Sequence, residues 1–539
     1  MHIYNSFAID MIIVSIFYQH PTNLSPKIPS FFLFDTHNLA MASSKQSHDV
    51  VLLPGELFWM ILAYLEPNEL VRCRRVSRAW NEAFSNPTIL LPLLKKHFPW
   101  TKEAKSLGSE TLSEDQDQGR HLFDQVASRY DHLKRGKPRS IQKYRLCDDF
   151  GSAGDREWYQ VQPWESHSSH MRRFIDRQFS EALWTFEDGL LVYPSADHQL
   201  LVLMDLETDR QFMVPFIIRG KVIRRVRLQK SLLVIEWAEP KAFHWLNDSD
   251  GVHRHFASSF DLTRSEDQGW NVVPRNEWKI MFLGHPLSER DRFFSSHSNT
   301  HYVIYIWQPN RSLYTADEDA PIESLFVWDI SKPSSYRPSL DPTGRLRDDS
   351  PDNSPSIVAR FGFRDLEFFD IRQRGCPSIQ RLEITDDSQA VEITENVCIR
   401  PEDQPPEPFG LPRPITTSIP LVGNGPHWRR DFQGILPPYR GNCSMQAESM
   451  KSDGLIMTDP WFGVISQVAV REIDLGFCLH FDPWTWIQDQ IVYLTIQTPR
   501  SNVTCENWDF VGRGKLAGCE RYLVGENCNR ELVIYRFDR

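Results

Sequence analysis

Leu52-Leu53-Pro54-Gly55-Glu56-Leu57-Phe58-Trp59-Met60-Ile61-Leu62-Ala63-Tyr64-Leu65 decides how the front of the chain folds. Leu53, Leu57, Ile61 and Leu65 recur every four residues, and Phe58, Met60 and Leu62 widen the stripe. That is the period of an amphipathic helix with a broad apolar face. Pro54 suits a first helical turn, where its missing N–H costs nothing, and Glu56 places negative charge where the helix dipole favours it. Pro67 disfavours helical geometry at Glu66, so the helix is expected to stop near Leu65.

A second apolar set follows at Leu70, Val71, Cys73, Val76, Trp80 and Phe84, with Ser77 placed to cap a further helix. The expectation is three short helices over 53–65, 67–75 and 77–85. A unit of ~40 residues cannot bury Phe58, Trp59, Leu62 and Tyr64 together. Some of this surface is therefore expected to dock on something else.

The spacing Leu53-Pro54-x-Glu56-Leu57, Ile61-Leu62, Leu65-x-Pro67-x-x-Leu70 and Val76-Ser77-Arg78-x-Trp80 resembles the F-box, with Ser77 where the family usually has Cys. The resemblance implies an adaptor-binding set of Leu53, Pro54, Glu56, Leu57, Ile61, Leu62, Leu65, Pro67 and Leu70, with Val76 and Trp80 divided between docking and the domain's own core. The implied partners are a Skp-family adaptor, through it a cullin scaffold of an SCF-type ubiquitin ligase, and an unknown protein substrate. Leu283 to Ser298 and Val327-Trp328-Asp329-Ile330-Ser331 more loosely resemble C-terminal regions of fungal F-box proteins.

Composition bounds the rest. The 539 residues suffice for several domains, and 41% hydrophobic with 24% charged is ordinary globular composition. A formal net charge of −11, without a basic patch carrying aromatics, argues against nucleic-acid binding. Residues 51–100 depart from this, with Arg72, Arg74, Arg75, Arg78, Lys95 and Lys96 against Glu56, Glu66, Glu69 and Glu82; the arginines read as a solvated stripe that also suits an acidic partner. Nine scattered cysteines make no disulfide framework, and the expectation is a reducing cytoplasmic or nuclear setting.

Residues 1–48 read as a disordered or misassigned N-terminal extension, since Met41-Ala42-Ser43-Ser44 looks like a natural start and the run from Phe7 to Tyr18 is too short to span a membrane. The F-box-like domain takes 49–98, and 99–140 is expected as a helical linker that includes an amphipathic helix from Leu122 to Leu133.

Residues 141–539 change to strand texture: short β-branched and aromatic runs separated by turns such as Asp188-Gly189. Val202-Leu203-Met204-Asp205-Leu206 and Phe326-Val327-Trp328-Asp329-Ile330 read as equivalent strands. The fold class expected is α+β multidomain, a small all-α F-box followed by a large mostly-β domain that is β-propeller-like, with a large β-sandwich as the structural rival. Pro-rich stretches near 338–357 and 401–414 are expected as insertions, the first disordered and the second extended and exposed.

No catalytic constellation emerges. Gly512-Arg513-Gly514-Lys515 lacks phosphate-loop spacing, the pairs His253/His255 and His297/His301 lack a further ligand, and Asp386-Asp387 lies in a polar turn. The reading is a non-catalytic adaptor with no cofactor, no metal and no membrane association. The alternatives are an enzyme on the β-domain, such as a glycoside-acting propeller needing two convergent carboxylates, and an F-box interaction protein outside any ligase.

Overall fold

The computed structural model describes residues 55–62, 64–106, 116–147, 183–198, 200–247, 250–267, 269–280, 287–288, 291–308, 321–341, 355–372, 379–398, 412–421, 464–470, 475–481, 491–498, 501–511 and 515–539. Two compact units emerge: residues 1–139 with 471–474 and 537–539, and residues 140–470 with 475–536. The N-terminal extension, Leu53 and Pro54 lie outside the described residues.

Unit 1 is helical: α1 (Gly55–Leu62), α2 (Pro67–Cys73), α3 (Arg78–Ala83), α4 (Pro87–His97), α5 (Lys102–Ser106) and α6 (Gln116–Arg135). The chain turns tightly after α1, with Leu65 N donating to Leu62 O at 3.2 Å. Glu66 is extended, as Pro67 requires, and its N–H donates to the Glu69 carboxylate at 2.8 Å. Ser77 caps α3, its Oγ accepting from Trp80 N at 3.2 Å. One core gathers Phe58 and Leu62 of α1, Leu70 and Cys73 of α2, Trp80, Phe84, Leu93 and Leu94. The same core takes Phe123, Val126, Ala127 and Tyr130 from α6. The segment expected as a linker is thus part of the domain's packing.

Unit 2 begins with β1 (Ser140–Arg145). Next come β2 (Thr185–Glu187), β3 (Leu190–Ser195), β4 (Leu200–Asp205) and β5 (Arg210–Met213), then β6 (Val222–Gln229), β7 (Leu232–Ala238), β8 (His244–Asn247), β9 (Asp250–Val252), β10 (His255–Arg264) and β11 (Trp270–Lys279). β12 (Arg292–His297), β13 (His301–Gln308), β14 (Ile322–Asp329) and β15 (Ser356–Phe361) lead to α7 (Phe363–Phe368). β16 (Ile379–Ile384), β17 (Ala390–Cys398) and β18 (Pro412–Pro420) precede β19 (Val464–Val470), β20 (Leu475–Phe481), β21 (Val492–Thr498) and β22 (Ser501–Glu506). β23 (Ala517–Gly518), β24 (Tyr522–Glu526) and β25 (Glu531–Arg536) complete the unit.

Among the described residues these strands form five four-stranded sheets, one three-stranded sheet and the β8–β9 hairpin, and every pairing is antiparallel. The sheet orders are β2-β3-β4-β5, β11-β10-β7-β6, β12-β13-β14-β15, β16-β17-β18, β19-β20-β21-β22 and β1-β25-β24-β23. In the last, the first strand of the unit pairs with its final one, Ser140 opposite Arg536.

Apolar clusters join three pairs of sheets that follow one another in sequence, and the first sheet with the last. Val192, Leu203 and Phe216 pack with Ile235 and Phe256; Val234 and Trp278 with Phe293 and Ile304; Val303 and Val327 with Leu382 and Ile393; and Leu191 and Val202 with Val524 and Ile534. Polar ties reinforce two of these junctions. Arg225 donates to Ser295 Oγ at 3.2 Å and Arg227 to Ser295 O at 2.7 Å, while buried Arg536 pairs with Asp209 and donates to Leu206 O. No described helix is long and apolar enough to cross a membrane.

Local chemistry explains several turns. Asp188 and Gly189 take φ of 50° and 86°, the conformation a two-residue hairpin between β2 and β3 demands. A Cβ at Gly189 would meet Tyr522 only at ordinary contact distance, so Gly189→Ala is expected to lower unit 2 stability by about 1 kcal/mol through backbone strain alone; urea denaturation measures it. Lys230 and Ser231 also have positive φ, and the Glu187 carboxylate holds that turn by accepting from Lys230 N at 2.7 Å. Asp205 and Asp329 end β4 and β14, each the third strand of its sheet, by accepting from the N–H two residues on at 2.8 Å.

The first helix ends at Leu62 rather than near Leu65, and two boundaries in the Pro-rich stretches also differ from the sequence reading. β15 starts at Ser356 and β18 at Pro412, inside the stretches expected as insertions; residues 342–354 and 401–411 lie outside the described residues. β18 is terminal in its sheet among the described residues, a position that tolerates prolines.

Candidate docking surface

The apolar residues of α1 divide between two faces. Phe58 and Leu62 point into the unit, where Phe58 meets Phe84 edge-on at 5.2 Å and Trp80 stacks on Phe84 at 5.2 Å. Leu57, Met60 and Tyr64 are 49%, 56% and 77% exposed and follow the spacing i, i+3, i+7 of a single helix face, Tyr64 standing just beyond α1. Ile61 lies half-buried between the faces. A helix apolar on both sides has one side too many for its own core.

The other expected adaptor-binding residues take varied places. Leu65, Pro67, Leu70 and Trp80 are buried with Leu62, Val76 is half-buried, and Glu56 stands on α1 with its side chain outside the described set. The structure therefore brings Leu57 and Ile61 to the surface and turns Leu62, Leu65, Pro67, Leu70 and Trp80 inward. Tyr64 was legible only as a residue too many for the core, and Met60 only as part of the broad apolar stripe; the i, i+3, i+7 spacing with Leu57 carried the signal for both.

The rest of unit 1 fixes this face rigidly. Lys134 of α6 pairs with Glu66 at 2.7 Å and Asn68 donates to Asp131 at 2.6 Å, pinning α2 to α6. Arg74 is buried, which corrects its assignment to a solvated stripe: its Nε donates to Phe84 O at 3.0 Å and its guanidinium pairs with Asp124 on α6. Arg72, Arg75 and Arg78 are exposed with no carboxylate partner among the described residues, interspersed with exposed Glu69 and Glu82. Burial, with a smaller contribution from Glu69, raises the Cys73 thiol to about 11, which keeps it protonated and unreactive near neutral pH.

No chemistry gathers elsewhere among the described residues. No group of three His, Cys, Asp or Glu side chains stands at metal-binding distance. His255 and His297 are each committed to a backbone carbonyl, His253 O and Leu232 O, at 2.9 Å. Asp387 accepts from Thr385 Oγ1 at 2.6 Å within a turn.

Comparison with known proteins bears on unit 1 alone. Residues 50–90 match the sequence model of the F-box-like family, a span that ends before α5 and α6 complete the core. No curated protein matches the chain. Among solved structures, a chain of a mitotic checkpoint complex is similar with a TM-score of 0.32 and 9% identity, covering 74% of this chain and 94% of that one. A Bombyx mori GH32 beta-fructofuranosidase in complex with sucrose is similar with a TM-score of 0.21 and 8% identity, covering 72% of this chain and 70% of that one. Likenesses this low carry no inference about fold or activity. The exposed ridge of α1 lies inside the matched span, and the chain carries an F-box-like domain at residues 50–90.

Proposed function

We propose that this chain is a substrate-recognition adaptor of an SCF-type, cullin-based ubiquitin ligase, in which the F-box-like domain docks on a Skp-family adaptor and unit 2 holds a protein substrate. The carrying observation is the ridge of Leu57, Met60 and Tyr64, three large side chains exposed among the described residues while Phe58 and Leu62 fill the core. Covering such a ridge removes apolar area from water at ~25 cal/mol per Å². Leu53, Pro54 and Ile61 are proposed to extend it. The chain performs no bond chemistry in this reading; it raises the effective concentration of target lysines beside the charged ubiquitin carrier.

The finer reading of unit 2 as a propeller is supported by successive antiparallel sheets, by cores shared between neighbours in sequence order, and by β1 completing the sheet of β25. A cytoplasmic or nuclear setting belongs to the same proposal, and the free thiols of Cys73, Cys147, Cys478, Cys505, Cys519 and Cys528 suit it.

Co-expression of the full chain with a Skp-family adaptor tests the reading. A complex should co-purify, and Leu53→Ala with Pro54→Ala should abolish it while unit 2 stays folded. Undiminished co-purification of that variant, or none of the unaltered chain, would overturn the assignment.

A further inference from the structure

Trp508 stands in water with its direction fixed. It is 53% exposed, two residues beyond the end of β22. Buried Asn507 anchors the turn that carries it: its N–H donates to Val492 O at 2.8 Å, its Nδ2 to the Tyr535 hydroxyl at 2.8 Å, and its Oδ1 accepts from Asp509 N at 3.1 Å. The indole Nε1–H donates to a Glu506 carboxylate oxygen at 2.8 Å. An aromatic side chain ordered in advance loses little entropy when a partner covers it.

The same sheet brings a second aromatic to that carboxylate. His480, Tyr493 and Glu506 lie opposite one another across β20, β21 and β22. Directly opposed side chains share one face of a sheet, with Cβ atoms about 4.5–5.5 Å apart. Half-buried Tyr493 stacks on His480 with ring centroids 5.9 Å apart. Glu506 thus has Tyr493 as its cross-strand neighbour and Trp508 as its hydrogen-bond donor.

Charge selects the occupant. Glu506 is exposed, and no lysine or arginine pairs with it among the described residues. The next acid along, Asp509, is already answered by Lys143 at 3.2 Å and by the Tyr535 hydroxyl at 2.9 Å. Other exposed aromatics carry the chain's own cations: Arg254 lies over Phe243 at 5.2 Å and Arg372 over Phe363 at 5.3 Å. Among the described residues no cation lies over Trp508, although indole is the best cation–π acceptor. Because Trp508 already uses one carboxylate oxygen, the two-pronged grip of a guanidinium is disfavoured, and a point contact with an ammonium fits better.

We propose that Glu506, Trp508 and Tyr493 form a surface receptor for a lysine side chain presented by another polypeptide, the carboxylate supplying the counter-charge and the rings the cation–π contact. This deepens the adaptor reading by naming a substrate contact on unit 2. It rests on that reading only for who supplies the lysine.

The test labels the full chain with 5-fluorotryptophan and identifies the Trp508 fluorine resonance by its loss in Trp508→Phe. A soluble peptide of Gly-Lys-Ser repeats should shift that resonance saturably below ~10 mM, binding at least ~5-fold tighter than its glutamine counterpart. Glu506→Gln keeps an acceptor for the indole N–H and removes the charge. It should weaken lysine-peptide binding at least ~3-fold, with unchanged melting because the side chain is exposed. Tyr493→Leu should weaken it by about as much.

No shift at that concentration, equal binding of the glutamine peptide, tighter binding of an arginine counterpart, or full affinity in Glu506→Gln would each overturn the proposal. So would a Trp508 resonance that moves with protein concentration alone, which assigns the surface to a second copy. None of these results depends on adaptor co-purification, so the two readings fail separately.

Discussion

Leu57→Asp should cost the chain at least ~100-fold in affinity for a Skp-family adaptor, about 3 kcal/mol, and leave the melting of unit 1 unchanged. Leu57 is 49% exposed in the free chain, so a carboxylate there stays hydrated until a partner covers it, and the cost falls on the complex. Leu62→Ala should behave in the opposite way. Leu62 is fully buried, so its truncation opens a cavity and costs unit 1 ~2–5 kcal/mol of stability. Adaptor binding would weaken only as far as the domain unfolds. Urea denaturation followed by tryptophan fluorescence, beside an adaptor titration, separates the two. Equal affinity for Leu57→Asp and the unaltered chain would remove α1 from the interface.

Acid should unfold unit 2 through its buried histidines. His255 Nδ1–H donates to His253 O while its Nε2 accepts from Arg224 at 2.7 Å, so a second ring proton would face a guanidinium. Burial first, and Arg224 second, hold this imidazole well below its usual range. Burial likewise lowers His297 to about 3, despite its bond to Leu232 O.

In the unfolded chain both rings titrate near their ordinary ~6.5. Between there and the folded-state values the unfolded chain binds more protons, so stability falls as pH drops. From pH 7 to pH 5 His297 should withdraw roughly 2 kcal/mol, and His255 acts in the same direction. Glu236 works against them over part of this range, because burial raises its carboxyl and favours the protonated native form above the ordinary carboxylate value. The histidine contribution is therefore isolated by comparison. His297→Gln should lose roughly 2 kcal/mol less than the unaltered chain over that interval, and identical pH dependence would show that His297 is not held neutral.

Local chemistry was legible in the sequence and remote partnership was not. Glu66 held extended before Pro67, Ser77 as a cap, Asp188-Gly189 as a tight turn and the matching ends of β4 and β14 depend on residues a few positions apart, and each stands where its chemistry requires. Which apolar face of α1 turns inward depends on Phe123 and Val126, far along the chain, and nothing within residues 52–65 distinguishes Leu57 from Leu62. Arg74 looked solvated because its partner Asp124 lies on α6.

β10 was missed for a different reason. His255, Ser258 and Ser259 are buried there, polar residues that announce no strand because their hydrogen-bond partners, Arg224, Trp237 and Asn276, come from other strands. The pairing of β1 with β25 joins the two ends of the unit, and neither sequence announces the other.

Oxidative footprinting of Met60 tests most directly whether the α1 ridge is a covered interface. In the free chain its thioether is 56% exposed and should convert to the sulfoxide readily under mild peroxide. With a saturating Skp-family adaptor present, Met60 oxidation should slow at least ~10-fold, a degree of occlusion expected of a residue inside an interface core. An unchanged rate at Met60 in a complex that demonstrably forms would mean that the adaptor binds elsewhere.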